Sequence, residues 1–450
     1  MRRPPRFNNS SPNLAYSVPV NTRAIPANAA HLTRRTFCAK AAAAATSILL
    51  PLTRLIAQSS GNAIRPDVAA IDHDRILHDA EQALTEAPVP ITRTPAPHSP
   101  AAPQDYFSEA TDSASATSNT APFTAHRDAV FSLGQRVSSL AAAQWITGEK
   151  RYGDFAALHL RSWFADPATR LTPSFDFAQV PTPASPSGNA PPPSRPALFG
   201  TYAGVIESLP LVEVVQSIPF LAGGGSLTSA DLTALRTWFS DYLHWLTAEQ
   251  DSGPRIAALA RDHKDHHATS WMLQVAAYTL FTAPETGAPK NEDRAMTELR
   301  HRFRSVTLRT QLSADGMFRN ELSTPNPYRN SLFNLDMLAC LSQLLSTRFE
   351  SAWEYELEDG PSMHTALAWH APFIQDRVKW PYRADDRFFN DLPSRRTALL
   401  LGARAFQRPE YASLWKTLRP DPVPPEIART IPARQPLLWT VQPHRPAVER

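Results

Sequence analysis

The chain has 450 residues, with 45 Lys and Arg against 42 Asp and Glu, which is long enough for a large core and exceeds one ordinary domain. The excess of base is confined to residues 1–57, which hold eight Lys or Arg and no acid, so that 37 basic face 42 acidic side chains beyond that point. That balance excludes a nucleic-acid-binding reading, and the two cysteines, Cys38 and Cys340, exclude a thiolate metal site.

Within residues 1–57, Thr33-Arg34-Arg35-Thr36-Phe37 precedes AKAAAAATSILLPL, an alanine-rich run short of the ~20 residues of a membrane span. The pattern predicts a twin-arginine export signal, cleaved near Ala57. The mature protein is then expected to be periplasmic or secreted, with no stable membrane insertion. Cys340 would be its only cysteine, so no intrachain disulfide could form.

Residues 58–122 are rich in Pro, Ala, Ser and Thr and read as linker and wrapping segment, interrupted by one short helix near Asp74 to Leu84. From Phe123 apolar residues recur three and four apart, with a break at Thr147-Gly148 and a stop at Asp166-Pro167. This spacing predicts a helix, a turn and a second helix. A polar, proline-rich loop runs from Thr172 to Pro196. Helical patterns resume in VIESLPLVEVVQSIPFLA, in LTSADLTALRTWFSDYLHWLTAEQ with an N-cap at Thr228 or Ser229, and in ATSWMLQVAAYTLF. They continue in NEDRAMTELRHRFRSVTLRTQL, SLFNLDMLACLSQLLST, TALAWHAPFIQ and TALLLGARAF. Period-two alternation is scarce. Sequential helix pairs without a fixed repeat length predict a mainly α fold, an incomplete α/α toroid (helix-hairpin barrel) with long loops, over residues 123–420, followed by a proline-rich tail, 421–450.

One stretch, Arg261 to Phe281 (RDHKDHHATSWMLQVAAYTLF), gathers three histidines and a lysine immediately before an apolar helix. Together with DYFSEA, FTAHRDAV, TGEKRYGDFAALHLRSWFADPATRL, Phe177 to Gln179, ELSTPNPYRNSLFNLDML, KWPY and RPEYASLWKTL, it resembles the alginate-lyase domain family of polysaccharide lyases from about Asp105 to Leu418. The likeness lies in the order and spacing of these pieces.

The resemblance implies β-elimination on an acidic, uronic-acid polysaccharide. Such a reaction needs a base for the C5 hydrogen, an acid for the leaving 4-oxygen, and donors that neutralise the carboxylate as enolate charge develops. On the matching positions it implies His267 and Tyr328 as catalytic residues. Lys264, His266, Arg329, Gln179, Trp271, Lys379 and Tyr382 are then candidates for binding the sugar, and no cofactor is implied.

Several positions depart from the family's pattern. Asp265 and His266 stand in place of a pair of carboxamides, Thr324 in place of an arginine, Asn330 in place of a second tyrosine, and Thr201 where an arginine is frequent. An aspartate beside a uronate repels it unless it pairs with Lys264 or a histidine. These changes keep two other readings open: a catalytically silent glycan-binding protein on the same fold, and a glycoside hydrolase using Asp265 and Glu321. DHKDHH also offers His263 and His267 four residues apart, which would share a helix face if the helix began early. No HExxH pattern accompanies them, and the expectation is that no metal is bound.

Overall fold

The computed structural model describes residues 65–97, 102–111, 121–181, 199–248, 255–283, 290–358 and 360–443. The export signal, most of the proline-rich loop before Phe199 and the last residues of the tail lie outside the described residues.

The longer helices are α1 (His73–Leu84), α2 (Ala125–Thr147), α3 (Lys150–Leu160), α4 (Leu211–Gly223), α5 (Ser229–Thr247), α6 (Ile256–Asp262), α7 (His266–Thr282), α8 (Lys290–Arg302), α9 (Pro327–Leu345), α10 (Met363–Gln375), α11 (Thr397–Ala405) and α12 (Pro409–Thr417). Two short strands, β1 (Phe107–Glu109) and β2 (Phe177–Val180), pair in parallel. The mainly α expectation holds. The helices pack as a row in which α2 meets α4, α4 meets α7, α7 meets α9 and α9 meets α11, while α3, α5 and α12 lie against α2, α7 and α11.

Local chemistry accounts for the boundaries. α2 ends at Gly148, whose φ of 73° suits a residue without Cβ. α5 begins with a capping box, in which Thr228 accepts from the Asp231 N–H and Asp231 accepts from the Thr228 N–H. α7 and α9 are buried nearly all round, which is why their sequences are apolar on every face rather than along one stripe.

Two expectations about the edges need correction. Residues 65–111 do more than wrap: Ile76, Ala80, Ile91, Tyr106 and Phe107 are buried, and α1 packs on α2. The C-terminal segment is likewise part of the core, with Ile427, Leu437 and Trp439 buried and the Gln435 N–H donating to Glu213 at 2.8 Å. Outside α1, proline-rich composition hides such segments because their apolar residues follow no helical period.

Candidate active site

The histidine cluster is built by a helix start. Asp265, in extended conformation, is the N-cap of α7, and its Oδ1 accepts the His267 backbone N–H at 3.0 Å. The helix therefore begins at His266. His266 and His267 fall on its first turn with ring centroids 4.2 Å apart.

The two imidazoles have opposite surroundings. His266 is buried; its backbone N–H donates to Glu321 Oε1 and its Nδ1 meets Glu321 Oε2, both at 2.8 Å. Burial opposes a charge there, but the charge and hydrogen bond of Glu321 outweigh it and bias His266 toward the imidazolium. His267 is biased the other way: burial and the neighbouring His266 push its pKa below the ordinary value, against the pull of Asp265. Its Nδ1 lies 3.0 Å from Asp265 Oδ1. A neutral His267 donates from Nδ1 to that carboxylate and keeps its lone pair on Nε2, the arrangement of an oriented general base. Burial resists ionisation of Asp265, yet His267 and His266 hold its carboxyl well below the usual range. The aspartate that would repel a uronate is thus paired with histidines, Oδ2 meeting His263 Nδ1 at 3.4 Å.

A phenol completes the cluster, and it is not Tyr328. The Tyr202 ring stacks on His263 at 3.9 Å and stands edge-on to His267 at 5.1 Å. Its segment is pressed onto β2, where a Cβ on Gly200 or Gly204 would sit 1.8 or 2.5 Å from the Ala178 carbonyl oxygen, so only glycine permits the approach. The sequence signal was there in GTYAG, a tyrosine between glycines, beside the Thr201 already noted as a departure.

Tyr328 is sealed in the core. Asp385 caps α9 from a distant loop, accepting the Tyr328 N–H at 2.8 Å and the Arg329 N–H at 2.9 Å. This turns the Tyr328 ring inward between Trp380 and Phe389, where its hydroxyl donates to the Phe373 carbonyl at 2.8 Å and burial raises its pKa well above normal. A phenol so enclosed cannot exchange a proton with a sugar.

Trp271 is also corrected: it is buried and its Nε1 donates to the Leu246 carbonyl at 2.9 Å, a core contact one turn into α7. Gln179, at φ 54°, donates from Nε2 to buried Glu207 at 3.2 Å and from its backbone N–H to Ser108 at 2.8 Å, which ties it to the strand pair. Lys264 is exposed at the cluster's rim. Arg329 is half-buried, its charge acts on His266, and its Nε meets no acceptor among the described residues. Lys379 lies 3.7 Å from Asp376, and the Tyr382 hydroxyl contacts Met317 Sδ at 2.7 Å. Tyr382 belongs to the aromatic group around Trp369 and Trp380, alongside the Thr324 turn that Arg383 Nη2 meets at 2.9 Å. Asn330 donates to Thr324 Oγ1 at 3.1 Å, so two of the departures bond to each other.

The fold and the family match together make this a polysaccharide lyase of the helical kind. The family model described as alginate lyase matches residues 83–380, and the chain belongs to that family. Among solved structures, an alginate lyase from Bacteroides ovatus aligns with a TM-score of 0.66 at 19% identity, covering 84% of this chain and 95% of that one. At that identity the likeness speaks for the fold. No curated protein matches the sequence.

Proposed function

We propose that the protein cleaves a uronic-acid polysaccharide by β-elimination at the His267–Tyr202 cluster. The observation that carries this reading is the split between two adjacent histidines, one biased toward its charged form by Glu321 and the other kept neutral and oriented by Asp265. Paired groups whose surroundings drive their pKa values apart are how one site supplies both charge and base. His267 Nε2 takes the C5 proton, and the Tyr202 hydroxyl protonates the departing 4-oxygen. The imidazolium of His266 and the guanidinium of Arg329 neutralise the uronate carboxylate, so that negative charge developing at C5 is tolerated. Lys264 draws the anionic chain toward the cluster.

The hydrolase alternative needs two accessible carboxyl groups. Glu321 is buried and accepts from the His266 N–H, His266 Nδ1 and Asn334 Nδ2, which leaves it no face for a sugar oxygen. Export through the twin-arginine route fits a polysaccharide substrate, and a periplasmic or secreted location is part of the proposal. The test is incubation with alginate, glucuronan and other uronans while following the ultraviolet absorbance of new C4–C5 double bonds. Binding of a uronan without any rise in absorbance, unchanged in His267→Ala, would favour a glycan-binding protein and sink the lyase reading.

A further inference from the structure

We infer that His263, Asp265 and His267 form a site for one divalent transition-metal ion of the zinc class. One donor atom from each of the three side chains lies within 4.8 Å of the other two. Asp265 stands between the imidazoles, with Oδ1 3.0 Å from His267 Nδ1 and Oδ2 3.4 Å from His263 Nδ1. A tetrahedral zinc ion with bonds of about 2.0–2.2 Å keeps its donors about 3.3 Å apart. The edge from Asp265 Oδ1 to His267 Nδ1 is therefore already spaced for coordination, while His263 faces the other oxygen of the same carboxylate. Bringing His263 onto the same ion asks for a rotation of its ring against Tyr202, and its side chain is 32% exposed.

The expectation that no metal binds rested on the absence of an HExxH pattern, with a shared helix face as the way for the two histidines to meet. They meet instead across a turn: His263 ends α6 in extended conformation, Asp265 caps α7, and His267 follows on its first turn. Two imidazoles and one carboxylate leave a coordination position open, as in sites that take up an exogenous ligand. This mixed nitrogen and oxygen set favours zinc, cobalt or nickel over calcium or magnesium.

Charge gives the site a use. Asp265 contributes −1 where an anionic sugar would approach, and a divalent ion turns the cluster to +1, able to hold a carboxylate at the open position. Coordination through His267 Nδ1 releases no net proton: the hydrogen that Nδ1 otherwise donates to Asp265 moves to Nε2, which no longer carries a lone pair. The metal form has thus lost the oriented base and holds a uronate without turning it over. Only this last consequence rests on the lyase reading.

The experiment takes the full-length, untagged protein, strips it with chelator, titrates it with Zn²⁺ by calorimetry, and records the visible spectrum of the Co²⁺ form. One equivalent of zinc is expected, with the ligand-field bands of a four- or five-coordinate cobalt ion. His263→Gln and His267→Gln, which preserve side-chain size and helix start, should each weaken zinc by about 100-fold or more. Absence of stoichiometric zinc binding, or affinity unchanged in both variants, would overturn the inference. Neither readout uses lyase activity: zinc binding together with no turnover of any uronan by the stripped, metal-free protein rejects the lyase reading alone, and turnover without zinc binding rejects the metal site alone.

Discussion

His266 and Glu321, 55 residues apart in the chain, are joined twice, main chain to Oε1 and imidazole to Oε2, each at 2.8 Å. Asn334 adds a third donor at 3.0 Å and hands on to Gln311, which also holds the Asp265 carbonyl. Glu321 therefore ties the start of α7 to α9 and sets where His267 points. Replacing it with Gln puts an amide donor against donors in a buried network. Glu321→Gln is expected to lose about 2–4 kcal/mol in urea unfolding and most of its lyase activity. A variant as stable and active as the parent would show that Glu321 holds nothing in place.

His267→Gln tests the base itself. Glutamine can keep a hydrogen bond to Asp265 but has no nitrogen lone pair able to take a proton. Turnover should fall by about 10²–10⁴-fold while far-ultraviolet circular dichroism and uronan affinity stay close to the parent. A large fall in affinity with little change in turnover would instead place His267 among the groups that hold the carboxylate.

The two tyrosines make a paired prediction. Tyr202→Phe removes a hydroxyl from the cluster and should reduce turnover by about 10²-fold with little effect on unfolding. Tyr328→Phe removes a buried hydrogen bond to the Phe373 carbonyl and should cost about 1 kcal/mol of stability with turnover unchanged. The opposite pattern would return the phenol role to Tyr328 and require the core around Trp380 to open.

What the sequence revealed and concealed follows from the range of the forces involved. The helix pair over Ala125–Leu160, the Thr228 cap and the apolar α7 and α9 are written in local spacing and local hydrogen bonds, so they could be read directly. The histidine cluster could be located for the same reason, as titratable groups before a buried helix. Which way each ring faces was not legible. Tyr328 and Tyr202 both sit in turns, and what separates them is long-range: Asp385, 57 residues onward, draws one inward, while β2 and two glycines press the other against His267. Asp265 looked like a misplaced charge because a one-dimensional pattern does not show that the same carboxylate caps a helix and orients an imidazole.

Glu213 offers a pH test far from the cluster. It lies in α4, 3% exposed, and its Oε1 accepts the Gln435 N–H at 2.8 Å, so it fastens the C-terminal segment to the core. Burial pushes its pKa up to about 7, against the opposing effects of the Gln435 N–H and Arg434. The folded protein thus binds this proton more tightly than the unfolded chain, whose glutamate titrates near ~4.3. Stability from this group falls as pH rises from about 4.3 to 7, and above that the charged carboxylate burdens the fold in full. Glu213→Gln retains an acceptor for Gln435 and removes the charge. It should therefore be more stable than the parent at pH 8, by at most about 4 kcal/mol, with the gain vanishing below about pH 4. Urea unfolding of both proteins at those two pH values measures the difference. An offset that does not change with pH would mean that Glu213 titrates normally, and that the C-terminal segment does not shield it from water.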